Sequence, residues 1–266
     1  MSLPVIPRNF CRKGRRYAEA DVFLVSIPKS GRTWLRFMVR HYLCAQASLP
    51  FSIESSADEP DSIPRLACSH DLWEHLTAPR LVDRALGKYL LPPGPRRSRK
   101  IILGLRDLRD VMVSLHIQLT KRGFRSGASF EGSLSEMIRS PRFGVDRTVD
   151  ILNHWLEEWR GSDRCLIWSY EESRKDPRSS FVDVLNFLGC GPVDEELLEI
   201  SLDFADFDNM RAMEADDRFD RKMLQPGDPS DPESFKVRRG VVGGFVDYLS
   251  DDDARRIETA TARLKL

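Results

Sequence analysis

The sequence predicts an α/β domain: a central parallel β-sheet flanked by helices on both faces. Two observations carry that prediction. Three strand–turn–helix units recur along the chain. Their strands are apolar from end to end, as strands buried on both sides are. At 266 residues the chain fits a single domain. It can bury a core without disulfides or a structural metal.

Val22–Ile27 (VFLVSI) opens the first unit as a short buried strand. Pro28-Lys29-Ser30-Gly31 breaks it, and Leu35, Met38, Val39, Tyr42 and Leu43 then recur at helical spacing. Ile101–Leu105 is the second strand. Arg106-Asp107 follows, then a helix with Leu108, Val111, Met112, Leu115 and Leu119 on one face. Leu152, Trp155, Leu156 and Trp159 mark another amphipathic helix. Cys165–Trp168 is the third strand, ending at Ser169-Tyr170-Glu171. Its helix carries Phe181, Val184, Leu185 and Leu188, and Gly189 is placed to stop it. The last helix begins near Ser250, with Asp251, Asp252 and Asp253 at its positive end.

Residues 1–20 read as a solvated basic N-terminal arm holding Arg8, Arg12, Lys13, Arg15 and Arg16, and the domain occupies 21–266. Segments 51–65 and 91–99 read as loops. The polar, proline-bearing stretch 215–236 reads as a long mobile loop suited to a lid.

Lys and Arg total 41, as do Asp and Glu, so the formal net charge is zero. That excludes a general nucleic-acid binder but not a local cationic pocket. Basic residues concentrate at 29–40, 96–109, 121–147 and 236–239, acidic ones at 194–220 and 251–253. The five cysteines form no CxxC pair, so neither a disulfide framework nor a zinc site is indicated. Free thiols fit a reducing compartment, with the cytoplasm as the default. No apolar run reaches the ~18 residues of a membrane span, and the N-terminus has the wrong charge order for a secretory signal.

Three segments can hold anions. After the first strand, Lys29, Ser30, Gly31 and Thr33 lie on a turn that opens a helix. Backbone N–H groups and the helix dipole make such a turn a phosphate cradle. The Lys precedes the Gly and no Gly-Lys-Ser/Thr occurs, so this is not a Walker A loop. Arg106 ends the second strand where open α/β sheets bind ligands. Ser114 lies about two helical turns further on, so the pair can grip a second phosphate. The third segment, Phe235 to Phe245, joins Lys236, Arg238 and Arg239 to a glycine-rich stretch.

Together these segments resemble the sulfotransferase family that uses 3′-phosphoadenosine 5′-phosphosulfate (PAPS), especially its cytosolic branch. Ile27-Pro-Lys-Ser-Gly-Arg-Thr-Trp34 is similar to the family's 5′-phosphosulfate loop. Arg106 through Ser114 is similar to its 3′-phosphate motif, and Arg238-Arg239-Gly240 to its C-terminal Arg-Lys-Gly loop. Tyr170 matches the family's Tyr-Glu-Asp stretch. Phe207 and Met210 resemble its Phe-x-x-Met segment on the adenine, and His70 falls where the family places its catalytic His. The matches run in order over residues 21–248. Arg32 departs from the pattern, since a small hydroxyl residue is usual there. Cys68 stands where a Lys is common.

The resemblance implies a P-loop-kinase-like sulfotransferase fold and transfer of a sulfonate from PAPS to an acceptor hydroxyl or amine, leaving adenosine 3′,5′-bisphosphate (PAP). It implies Lys29 as the cation near the bridging oxygen, His70 as the base and Ser114 beside them. Ser30, Gly31, Arg32 and Thr33 would hold the 5′-phosphosulfate. Arg106, Ser114, Arg238, Arg239 and Gly240 would hold the 3′-phosphate. Trp34 and Phe207 would sandwich the adenine, with Met210 and Tyr170 nearby. No metal is required. Glu74, His75 and His116 are substitute bases. A kinase would need the absent Walker A lysine, and a non-catalytic nucleotide binder is the other alternative. The acceptor is a small molecule, glycan or lipid. Phe124, Phe130 and Phe143 among Lys121, Arg122, Arg125, Arg139, Arg142 and Arg147 favour a polar or anionic one. The oligomeric state stays open.

Overall fold

The computed structural model describes residues 12–56, 58–216, 224 and 226–266. Four strands, β1 (Val22–Ser26), β2 (Leu66–Ser69), β3 (Lys100–Leu105) and β4 (Cys165–Ser169), form one sheet in the order β2-β1-β3-β4. All pairings are parallel; Val22 faces Leu66 on one side and Lys100 on the other, and Ile101 faces Cys165. Side chains of a strand alternate between faces. Phe23 and Val25 of β1 therefore enter one core cluster, with Leu103 and Trp155, while Val22 and Leu24 enter another, with Leu35 and Trp168.

Thirteen α-helices are described. They are α1 (Arg12–Glu19), α2 (Arg32–Gln46), α3 (Asp71–Thr77), α4 (Leu81–Ala85), α5 (Pro93–Ser98), α6 (Leu108–Ile117) and α7 (Leu134–Ile138). The rest are α8 (Val145–Trp159), α9 (Tyr170–Lys175), α10 (Pro177–Leu188), α11 (Glu195–Phe204), α12 (Phe207–Ala215) and α13 (Asp251–Thr261). The first cluster draws on α6, α8 and α13, the second on α2, α10 and α11. The sheet is thus covered on both faces. Helix α10 stops at Gly189 in the left-handed conformation (φ 91°), and the Ser250 side chain caps α13 by accepting from the Asp253 N–H.

β2 has no counterpart among the expected elements. Four residues are too few to show a period in the sequence, and only pairing beside β1 identifies it. Segment 91–99 is not wholly a loop. Pro93 pre-sets the first turn of α5, and Arg96 is fixed by Asp71 at 2.6 Å and Glu158 at 2.5 Å. Part of the expected solvated arm is folded. Residues 1–11 lie outside the described residues, but α1 folds onto the domain. Tyr17 is buried and donates to Ser69 Oγ at 3.0 Å. The expected lid falls partly outside the description, at 217–223 and 225. Its described part is anchored: the Lys236 and Val237 N–H groups donate to the buried Glu214 carboxylate at 2.6 and 2.8 Å.

Candidate active site

From β1 the chain runs to β2 on one side, and from β3 to β4 on the other. The switch point therefore falls between β1 and β3, where crossovers diverge and leave a crevice. The turns after both strands border a cavity of about 790 Å³. Lys29, Gly31, Arg32, Thr33, Trp34, His70, Arg106, Ser114, Tyr170, Phe207, Met210, Arg238, Arg239 and Gly240 all line it. Of the expected site residues, Ser30 alone is absent from that lining. Its side chain is buried.

The β1–α2 turn is held in an unusual shape. Lys29 and Gly31 have φ of 73° and 76°. A Cβ on Gly31 would lie 2.3 Å from the Tyr170 ring, so this glycine serves both the dihedral and the close approach. Arg106 Nη1 donates to the Lys29 carbonyl at 2.9 Å, and its guanidinium lies 4.5 Å from the Tyr170 ring centroid. The turns after β1, β3 and β4 thus lock together. Trp34 adds ring contacts to Tyr170 and Trp168.

The third cationic segment also lines the cavity. Asp110, buried on α6, accepts from the Gly243 and Phe245 N–H groups at 2.9 and 3.0 Å and sits 3.5 Å from Arg106. Gly240 lets the backbone rest on Phe207, whose ring a Cβ would approach to 2.5 Å. Arg238 is held by Glu233 at 2.8 Å and Tyr248 Oη at 2.6 Å, and Arg239 by Asp247 at 2.7 Å.

The electrostatics of the cavity are one-sided. Burial first, then the charges of Arg122 and Arg106, pull the Lys29 ammonium down to about 7. Burial and the neighbouring Lys29 and Arg32 hold Lys236 well below the ordinary lysine value. Arg106 Nε and Arg122 Nε are buried without hydrogen-bond partners among the described residues. Such a set is completed by an anion with several oxygens. Arg16, Arg36, Arg122, Arg125, Arg174 and Lys236 also line the cavity, with Glu54, Glu74 and Asp110 as the carboxylates. Lys236 belongs to the expected third segment. Asp110 escaped notice as a loop anchor, although its position one helical turn after Arg106 signals it. Arg16 and Arg36 carry no local signal; only folding brings them here.

His70 closes β2. Its Nδ1 is 2.8 Å from the Ser26 carbonyl oxygen and its Nε2 is 2.7 Å from Arg32 Nη2. Of the substitute bases, Glu74 lines the cavity and His75 does not. His116 is turned away, with Nε2 2.9 Å from the Gly132 carbonyl. Phe124 alone of the three expected pocket phenylalanines reaches the cavity, while Phe143 lies in the core and Phe130 packs against it.

A sulfotransferase domain model matches residues 19–264. The chain belongs to the sulfotransferase family. This sulfotransferase is 26% identical to cytosolic sulfotransferase 12 of Arabidopsis thaliana over 263 residues, spanning 93% of this chain and 78% of that one. It is 25% identical to flavonol 3-sulfotransferase of Flaveria bidentis over 251 residues, covering 90% and 79%. Its fold is that of a mouse sulfotransferase crystallised with PAP: TM-score 0.61, 22% identity, 93% of this chain and 86% of that one. None of the helices, among the described residues, is long and apolar enough to cross a membrane.

Proposed function

We propose that this sulfotransferase moves the sulfonate of PAPS onto a hydroxyl or amine of a polar or anionic small molecule and releases PAP. One observation carries the reading: Lys29 and His70 border the same cavity as two separate clusters of cationic and hydroxyl side chains. Arg106 and Ser114, with Arg238 to Gly240, suit the 3′-phosphate. The β1–α2 turn suits the 5′-phosphosulfate, where the N-terminus of a fifteen-residue helix adds positive potential. Trp34, Phe207, Met210 and Tyr170 offer ring and apolar surface to the adenine.

The transfer is an in-line displacement at sulfur. The acceptor oxygen bonds to sulfur, the bond from sulfur to the bridging oxygen breaks, and its electron pair stays on the 5′-phosphate. Lys29 offsets the charge that grows there, and the phosphates in turn favour its protonated form. His70 takes the acceptor proton at Nε2, since its Nδ1–H already faces the Ser26 carbonyl. Arg16, Arg36, Glu54, Arg125 and Phe124, which also line the cavity, would offer the acceptor mostly charged surface.

Turnover with labelled PAPS against a panel of phenols, alcohols and charged hydroxyl compounds tests this. Lys29→Ala and His70→Ala are each expected to lose about 10²-fold or more in kcat. Tight PAP binding with no turnover on any acceptor would favour a non-catalytic nucleotide binder. Full activity in His70→Ala would move the base to Glu74.

A further inference from the structure

The Ser26 carbonyl only accepts, so the proton on His70 sits at Nδ1 and the bare lone pair at Nε2. Arg32 Nη2 points at that lone pair from 2.7 Å, and a guanidinium only donates. The atom that must receive the acceptor proton is therefore covered by a cation. Arg32 is also the first residue of α2, rooted in the turn that suits the sulfonate. Its second terminal nitrogen, Nη1, is buried with no hydrogen-bond partner among the described residues. An imidazole leaves the guanidinium charge uncompensated, whereas a sulfonate would give it a charge-assisted bond.

We propose that Arg32 gates the base: it caps His70 Nε2 until the donor sulfonate draws the guanidinium away, so a competent base exists only when PAPS is in place. This inference rests on the reading of His70 as the base. In the released state the acceptor O–H donates to Nε2. As oxygen attacks sulfur, the proton passes to His70 and the electron pair of the breaking S–O bond goes to the 5′-phosphate of PAP. Arg32, now on the sulfonate, no longer repels the forming imidazolium. PAP carries no sulfonate and leaves the cap closed, so the product discourages an idle acceptor complex. The ligand moves the equilibrium because it binds one arrangement of Arg32 better than the other.

Several charged and titratable groups face this pair. Arg16 and Tyr17 come from α1, Cys68 from β2 and Glu74 from α3. Lys236 approaches from the C-terminal segment, close to Arg32, Arg36 and Lys29. The substitution removes none of these groups, so the variant reads the contribution of Arg32.

The test is an NMR titration of the His70 imidazole, assigned by its loss in His70→Ala. In Arg32→Gln the titration is expected to move up by about one pH unit, a tenfold change in proton affinity. Arg32→Lys should fall between the two. In the unaltered protein, saturating PAPS should move His70 upward while PAP leaves it nearly still. The donor comparison needs no variant and stands even if Arg32→Gln folds poorly. Equal shifts with PAPS and PAP, or an unmoved His70 in well-folded Arg32→Gln, would overturn the gate. A failure of the base assignment is distinct: it shows as retained turnover in His70→Ala, whatever the titrations give.

Discussion

Burial and the surrounding guanidinium groups bring Lys29 from 10.5 down to about 7. An unfolded chain keeps its lysines protonated to about 10.4. Between roughly pH 7 and 10 the unfolded state therefore binds more protons, and this group's contribution to stability rises with pH across that window. Below pH 7 both states carry the charge, and the cost of burying it is fully present. Phosphate oxygens reverse the shift, so nucleotide binding near pH 8 is expected to take up a proton and to weaken as pH rises further. Calorimetry with PAP in buffers of different ionisation heat checks this, and Lys29→Met should abolish the uptake. Unchanged uptake in that variant would place the titrating group elsewhere, with Lys236 next. The lysine itself was legible in the sequence from its place before Ser-Gly. Its altered proton affinity was not, because Arg122 and Arg106 reach it only through folding.

Strand–turn–helix units supply the elements, and their turns supply the precision. Gly31 and Gly161 have nearly the same left-handed φ, 76° and 78°. Gly161 has nothing within 4 Å of a would-be Cβ, while Gly31 meets the Tyr170 ring. Gly161→Ala is expected to cost about 1–2 kcal/mol from the dihedral alone. Gly31→Ala should cost more and should also weaken PAP binding tenfold or more, about 1.4 kcal/mol, by displacing Tyr170 and the Arg106 that rests on it. Melting curves and PAP calorimetry on the two variants separate strain from clash; equal effects would show that the ring contact does not matter. β1, β3 and β4 could be read as unbroken apolar runs, and the helices beside them from their apolar period. β2 and α5 could not, since Leu66–Ser69 mixes apolar and polar residues and Pro93–Ser98 carries no apolar face, and their support comes from partners distant in sequence.

Across the whole molecule, buried charges join parts that the sequence separates. Asp71, fully buried next to His70, accepts from the Leu91 N–H, from Arg96 Nη1 at 2.6 Å and from Trp155 Nε1 at 3.0 Å. It ties α3 to α5 and α8 and so fixes the β2 end that carries the proposed base, His70. Asp71→Ala leaves Arg96 facing a buried gap and is expected to cost about 3–5 kcal/mol, lowering Tm by roughly 10 °C. A melt unchanged within 2–3 °C would mean that the network is neutral to stability. By itself the sequence determined the α/β class, the cationic turns and the family they resemble, because periodicity and motif spacing are local properties. Tertiary structure alone decided which charges meet. Arg16 and Arg36 join the cavity, Asp110 anchors the glycine-rich loop, and Arg32 lies on His70. Such encounters depend on how elements dock, and no spacing along the chain encodes a distance across it. The formal charge of zero is thus an average over a cationic crevice and acidic stretches elsewhere.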